Sequence, residues 1–320
     1  MFQWPQLQTA SQMNVKVGEV ISDAGDHYPL LDAIDIVMVN TTHSGNIGAA
    51  ARAMKNMGLG QLILVDPIAT VNDEALARSS RADDILQRVR IVPTLEEAVA
   101  NASLVVGTSA RSRHIPWPLM TPRQAASSVC NVAATGARAA LVFGRESRGL
   151  TNEELHLCHA HVHIPTVESF SSLNVAQAIQ VLCYEMRLAA MDAAVAGVGT
   201  EAVMGQRWGV EWDHPPATHQ ELNGMILHLE QTLVDIGFLD PNTPKQLMTR
   251  LRRLYQRAEP DKMEINMVRG MLAAVQQLVV RSQGQQPQQP SLQQPPQQPP
   301  QQPDDQSLMG DASQGNRSDV

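Results

Sequence analysis

Five short apolar runs restrict this chain more than any other feature: DIVMVN (35–40), QLILVD (61–66), SLVVGTS (103–109), AALVFG (139–144) and HVHIP (161–165). Each is rich in aliphatic or β-branched residues at successive positions, as expected of strands covered on both faces. RIVPT (90–94) is a weaker sixth. Between the runs lie stripes with i, i+3, i+4, i+7 spacing: Ile47, Ala50, Ala51, Met54 and Met57 in one segment, Val175, Ala178, Ile179, Leu182 and Met186 in another. This alternation predicts an α/β domain with a mainly parallel sheet and helices on both faces.

After about residue 190 the strand pattern stops. Residues 217–281 carry only helical patterns: Leu222, Ile226, Leu229 and Leu233, then Thr243 capping a helix with Pro244 in its first turn, then Ile265 to Val280. From Gln283 the chain reads QGQQPQQPSLQQPPQQPPQQP, with almost nothing apolar to bury and many prolines. The expected organisation is a loose N-terminal extension (1–33), an α/β domain (34–195), a linker (196–216), a small all-α appendage (217–281) and a disordered Gln/Pro-rich tail (282–320). Such a tail solubilises; its proline tract could also engage a groove-binding partner that the sequence does not identify.

The net charge of −8 argues against a nucleic-acid partner only if it is spread evenly, and it is not. The first 33 residues and residues 282–320 each carry −3, which leaves −2 for the middle and room for a local basic surface. No run approaches the ~18–20 apolar residues of a membrane span, and the N-terminus lacks the basic flank and apolar core of a signal segment, so a cytoplasmic location is expected. Cys130, Cys158 and Cys183 are odd in number and irregular in spacing, which suggests buried thiols in a reducing compartment.

Open parallel sheets bind ligands beyond the carboxyl ends of their strands. Four segments there are unusual: NTTHSGNIGAAARAMKNMG, TSARSRHIPWP, FGRESRGL and HIPTVESFSSLN. None contains G-x-G-x-x-G or G-x-x-x-x-G-K-[ST], so neither common nucleotide fingerprint applies. In order and spacing the first, third and fourth, with TSARSR between them, resemble the three motifs of the SPOUT superfamily of RNA methyltransferases, in wording closest to its TrmJ-like branch. The similarity spans roughly 34–281.

The resemblance implies a C-terminal trefoil knot, an exception to the rule that chains do not thread themselves. It also implies a homodimer, S-adenosylmethionine (AdoMet) as methyl donor, and a ribose 2′-hydroxyl of RNA as acceptor. For the TrmJ-like branch that acceptor is a pyrimidine in the anticodon loop of tRNA, at position 32. By the same resemblance the cofactor contacts fall on Thr108, Ser109, Ala110, Gly144, Ile164, Ser171, Ser172 and Leu173, and Arg52 meets the RNA and its reacting oxygen as the catalytic residue. Asn46, Arg111, Arg113 and Arg145 are expected on the RNA side, and Asn174 opens the last helix of the domain. Relatives often carry glutamate where this chain has Asn40, so no carboxylate role is carried over there.

On a helix beginning near Asn46, Gly48, Arg52 and Lys55 would share one face, where small residues would let another chain or a ligand approach Arg52. The cluster HLCHAHVH offers His156, Cys158, His159, His161 and His163, but at no standard zinc spacing, so it is read as polar edging of the sheet and no metal is expected. In the appendage, Arg250 and Arg253 belong to a basic set with Lys245, Arg252 and Arg257 around a Leu247, Leu251, Leu254 stripe. They suit either a solvated helix face or an RNA-backbone contact outside the active site. The same fold acting on ribosomal RNA, or an inactive RNA-binding module, are the competing readings.

Overall fold

The computed structural model describes residues 27–109, 117–195, 214–243 and 245–284. In chain order the first half runs β1 (Ile34–Val39), α1 (Ser44–Met57), β2 (Gln61–Val65), α2 (Asp73–Ser79), α3 (Asp83–Gln87), β3 (Arg90–Val92), α4 (Leu95–Val99) and β4 (Ala102–Thr108). It continues with β5 (Leu119–Met120), α5 (Pro122–Ala134), β6 (Arg138–Phe143), α6 (Asn152–Leu157), β7 (Ala160–Val162) and α7 (Val175–Val195), and ends with α8 (His219–Asp235), α9 (Leu247–Ala258) and α10 (Lys262–Gly284).

The strands form one parallel sheet in the order β3-β2-β1-β6-β4-β7-β5. Every residue of the central strand β1 is buried, which is why its sequence is apolar at consecutive positions. One core lies beneath α1, α5 and α7 and a second on the opposite face around Val37, Ile63, Val105 and Val142. All three cysteines are buried, and burial pushes the Cys130 thiol up to about 12, so none is a reactive thiolate. No helix among the described residues is long and apolar enough to cross a membrane.

Two expectations need correction, and one strand has no counterpart in the sequence reading. The folded part begins earlier than residue 34: a 3₁₀ turn at Pro29–Ala33 brings Tyr28 and Leu31 into the core. Strand β5, at two residues, is too short to leave a periodic signal. Helix α9 starts at Leu247, because the Thr243 hydroxyl donates to Asp240 at 2.9 Å instead of capping a helix; Pro244 lies outside the described residues. Along α9, Leu247 and Leu251 are half-buried and Leu254 is 47% exposed, while Met248, Arg252, Tyr255 and Gln256 lie on the side packed against the rest of the protein.

Polar contacts set that rotation. Gln256 donates from Nε2 to the carbonyls of His156 and Leu157 at 3.1 and 3.3 Å, and Arg252 donates to Asn223 Oδ1 at 2.8 Å. The appendage therefore docks on the histidine-rich segment. At the seam the rings of His159 and His219 meet edge to face, with centroids 6.3 Å apart, and Arg252 lies close to both. His159 Nδ1 accepts the Val105 N–H at 3.0 Å, while neither ring nitrogen of His219 has a hydrogen-bond partner among the described residues. Burial, with Arg252 nearby, depresses His159 to about 4 and His219 to about 3; Glu230 and Glu96 offset part of the Arg252 charge.

A neutral pair held in this way stabilises the chain fully above the free-histidine value of about 6.5, and the contribution is lost as pH falls from there toward the depressed values. Thermal unfolding between pH 7.5 and 5 is expected to show a steep loss of stability on the acid side. His219→Phe should make that limb shallower; an unchanged slope would mean that the seam does not titrate.

Candidate active site at the strand ends

The loops after β4, β6 and β7 enclose a cavity of about 240 Å³. Thr108, Ser109, Gly144, Arg145, Ile164, Ser171, Ser172 and Leu173 all line it. Residues far apart in the sequence thus converge because β4 and β6 are neighbours and β7 lies on the other side of β4. Ala110, Arg111 and Arg113 lie outside the described residues.

The loop after β6 is tightly closed. Arg145 and Gly149 exchange main-chain hydrogen bonds of 3.2 and 2.8 Å. A Cβ on Gly144 would lie 2.2 Å from the Gly149 carbonyl carbon and the Leu150 nitrogen, so only glycine fits. On the other wall, Ser109 N donates to the Val162 carbonyl at 3.0 Å and the His163 ring contacts the Ser109 carbonyl oxygen at 3.2 Å.

The Arg145 guanidinium is held inside the fold: it forms a bidentate pair with Glu154 at 2.9 and 3.0 Å and also donates to Asn40 Oδ1. Asn40 in turn donates to Asp66, at 2.7 Å to its carbonyl and 2.8 Å to its carboxylate. Asn40 is therefore a bridge between β1, β2 and the β6 loop. Arg148, also at the cavity, is exposed.

Sequence reading finds no acid/base pair for Glu146 and gives it no role, yet it organises the mouth. Its carboxylate accepts from the Thr42 N–H at 3.2 Å, the Thr42 hydroxyl at 3.0 Å and Asn46 Nδ2 at 3.0 Å. Burial acts to raise its pKa, but the hydrogen bonds from Asn46 and Thr42 outweigh it and hold the carboxyl below the usual range. Asn46 Oδ1 accepts from Asn174 Nδ2 at 3.0 Å, and Asn174 Oδ1 caps α7 by accepting the Ala176 N–H at 2.9 Å. A chain of side chains thus ties the β6 loop to the amino ends of α1 and α7. The signal available in the sequence was a single carboxylate between two arginines in an otherwise small-residue loop.

Arg52 lies elsewhere. It is exposed on α1, donates from Nη1 to Ser80 Oγ at 3.1 Å, and is absent from the cavity lining. The small residues beside it serve packing: a Cβ on Gly48 would sit 2.0 Å from the Ala75 carbonyl oxygen, so Gly48 lets α2 lie against α1 and does not hold open a ligand approach. Lys55, on the same side, pairs with Asp84 at 2.6 Å.

The histidines are committed to the protein. His161 contacts the Leu155 carbonyl at 3.1 Å, while the Trp117 ring stacks on His156 and His161 with centroids 5.2 and 5.9 Å away. No group of three or more His, Cys, Asp or Glu among the described residues is arranged to hold a metal ion. In the appendage Arg250 is exposed and Arg253 half-buried.

Comparison with known proteins agrees with this geometry. Residues 33–184 match the SpoU rRNA Methylase family and residues 220–288 match the C-terminal domain of tRNA methyltransferase TrmJ. The chain is 51% identical over 249 residues to a tRNA (cytidine/uridine/adenosine-2′-O-)-methyltransferase TrmJ of Pseudomonas aeruginosa, which covers 78% of this chain and 96% of the relative. It is 46% identical to a tRNA (cytidine/uridine-2′-O-)-methyltransferase TrmJ of Cronobacter sakazakii, covering 77% and 97% respectively. Among solved structures, TrmJ from Z. mobilis superposes with a TM-score of 0.63 at 33% identity over 75% of this chain and 98% of that one.

Proposed function

The chain belongs to the TrmJ branch of the SpoU methylases, and on that premise we propose that it transfers the methyl group of AdoMet to the ribose 2′-hydroxyl of a pyrimidine in the tRNA anticodon loop, at position 32. The observation that carries this reading is the cavity itself: seven of the eight residues assigned to the cofactor line one space, and the eighth lies outside the described residues. The lining fits a nucleoside. Small side chains, the Gly144 position where a Cβ has no room, and the edges of the β4 and β6 loops suit main-chain contacts to a base and ribose.

AdoMet supplies an electrophilic methyl group on a sulfonium. The chain supplies position and charge. The Glu146, Asn46, Asn174 network fixes the mouth where the acceptor ribose would enter, with Glu146 kept ionised by its donors. Because Arg52 is off the lining of its own chain, a homodimer in which one copy brings Arg52 to the other's cavity mouth is part of the proposal. So are a knotted segment after β7, a cytoplasmic location, and contact of Arg250 and Arg253 with tRNA outside the active site.

Transfer from a sulfonium needs no Lewis acid, so AdoMet binding measured by calorimetry is expected to be unchanged in excess chelator; lost binding would reopen the histidine segment as a metal site. Mass spectrometry of ribose-methylated nucleosides from cells with and without the protein tests the function. Loss of 2′-O-methylcytidine or 2′-O-methyluridine from tRNA is expected. Loss from ribosomal RNA instead would favour the rival substrate, and no loss would favour an inactive binding module.

A further inference from the structure

Helix α10 leaves a face uncovered. Ile265, Val268, Leu272, Gln276 and Val279 lie toward the rest of the appendage, where Gln276 bonds His228 at 3.0 Å and Asp235 at 2.8 Å. The opposite face carries Met267, Met271, Ala274 and Leu278, a 3-4 spaced apolar seam, with Met267 65%, Met271 61% and Leu278 63% exposed. An apolar stripe of this length on water is a docking surface by default. Two further features identify its occupant.

The first is charge. Extending the seam by one step at each end reaches Glu264 before Met267 and Arg281 after Leu278, both exposed. One Glu264 oxygen accepts the Asp261 N–H at 3.0 Å, and the side chain is exposed. A second copy laid antiparallel about the midpoint of the helix sets Glu264 of each chain opposite Arg281 of the other, whereas a parallel copy sets like charges together. The second is volume. Gly270 sits mid-helix with nothing within 4 Å of where a Cβ would be, although glycine there costs about 1 kcal/mol relative to alanine. The same antiparallel register brings Met271 over Ala274, large against small, once on each side of the axis, and leaves Gly270 beside the seam where bulk would hold the two copies apart.

We propose that this face of α10 pairs with the same face of a second copy of the chain, antiparallel, in a two-fold contact centred between Leu272 and Ala273. It is separate from any contact at Arg52, which belongs to the α/β domain. Such a contact is isologous, and it joins the same two chains as a contact at Arg52 when both share one two-fold axis.

The test uses the full chain co-expressed in two tagged forms, one carrying Met271→Cys and the other Ala274→Cys. Under mild oxidation the mixed disulfide should form at least about tenfold faster than either like pair, because only 271 and 274 face each other in this register. Arg281→Glu, in both forms, should slow the mixed bond, and adding Glu264→Arg should restore it. Faster bonding of like pairs would indicate a parallel contact and overturn the proposal. So would cross-linking no faster than an exposed Gln277→Cys control, which is also the outcome if the face serves a different protein.

Discussion

Gly144→Ala is expected to weaken AdoMet binding by at least about a hundredfold, a loss near 2.7 kcal/mol. The added methyl would sit 2.2 Å from two main-chain atoms of the Gly149–Leu150 peptide, and no side-chain rotation relieves that contact. The loop must open, and with it the paired hydrogen bonds between Arg145 and Gly149 that shape the cavity wall. Two or three main-chain contacts to the cofactor, each contributing about 1 kcal/mol, would be misplaced together. The substitution should also cost some stability, since Leu150 beside it is buried. Titration at 10 °C, well below the expected melting point, separates the two effects. A variant that is folded by circular dichroism and binds AdoMet within threefold of the parent would show that the β6 loop is not the cofactor wall.

How much of this was legible in the sequence follows from the size of each signal. Strands β1, β2, β4 and β6 could be read because burial on both faces forces consecutive apolar residues, and α1 and α7 because one buried stripe repeats every 3.6 residues. Helix α9 misled because its covered side mixes polar and apolar residues. Arg252 and Gln256 reach docking partners supplied by Asn223, His156 and Leu157, and of the three leucines only Leu254 is exposed. No single-chain periodicity contains that information. The same limit applies to the site: the motifs brought the cavity residues together, but Glu146 acquires its role from Thr42 and Asn46, about a hundred positions away. Gly48 was noticed correctly as unusual and assigned to the wrong neighbour, since close approach by α2 and close approach by a ligand leave the same mark in sequence.

Arg52→Ala is expected to lower turnover by about a hundredfold or more, the scale of losing one preorganised donor to a developing oxyanion, while leaving AdoMet affinity unchanged. The second half follows from position: the residue is off the cavity lining, and among the described residues it hydrogen-bonds to Ser80. The first half rests on chemistry. An attacking 2′-hydroxyl must lose a proton, and a guanidinium, which stays protonated, is a poor acceptor, so the role proposed for Arg52 is electrostatic. Its planar fork can hold a phosphate and the nascent alkoxide together, which a lysine ammonium cannot, and Arg52→Lys should therefore recover only part of the rate. Single-turnover methylation of tRNA at saturating RNA, paired with AdoMet titration, reads both halves. Mixing then locates the arginine. If each site combines Arg52 of one copy with the cavity of the other, co-expressed Arg52→Ala and Gly144→Ala chains should regain about a quarter of the parental sites, because half of randomly assorted dimers are mixed and each holds one intact pair. If the arginine serves its own chain's cavity, every site in the mixed dimer carries one of the two lesions and no activity returns. Full activity in Arg52→Ala itself would reduce the residue to a surface contact of Ser80.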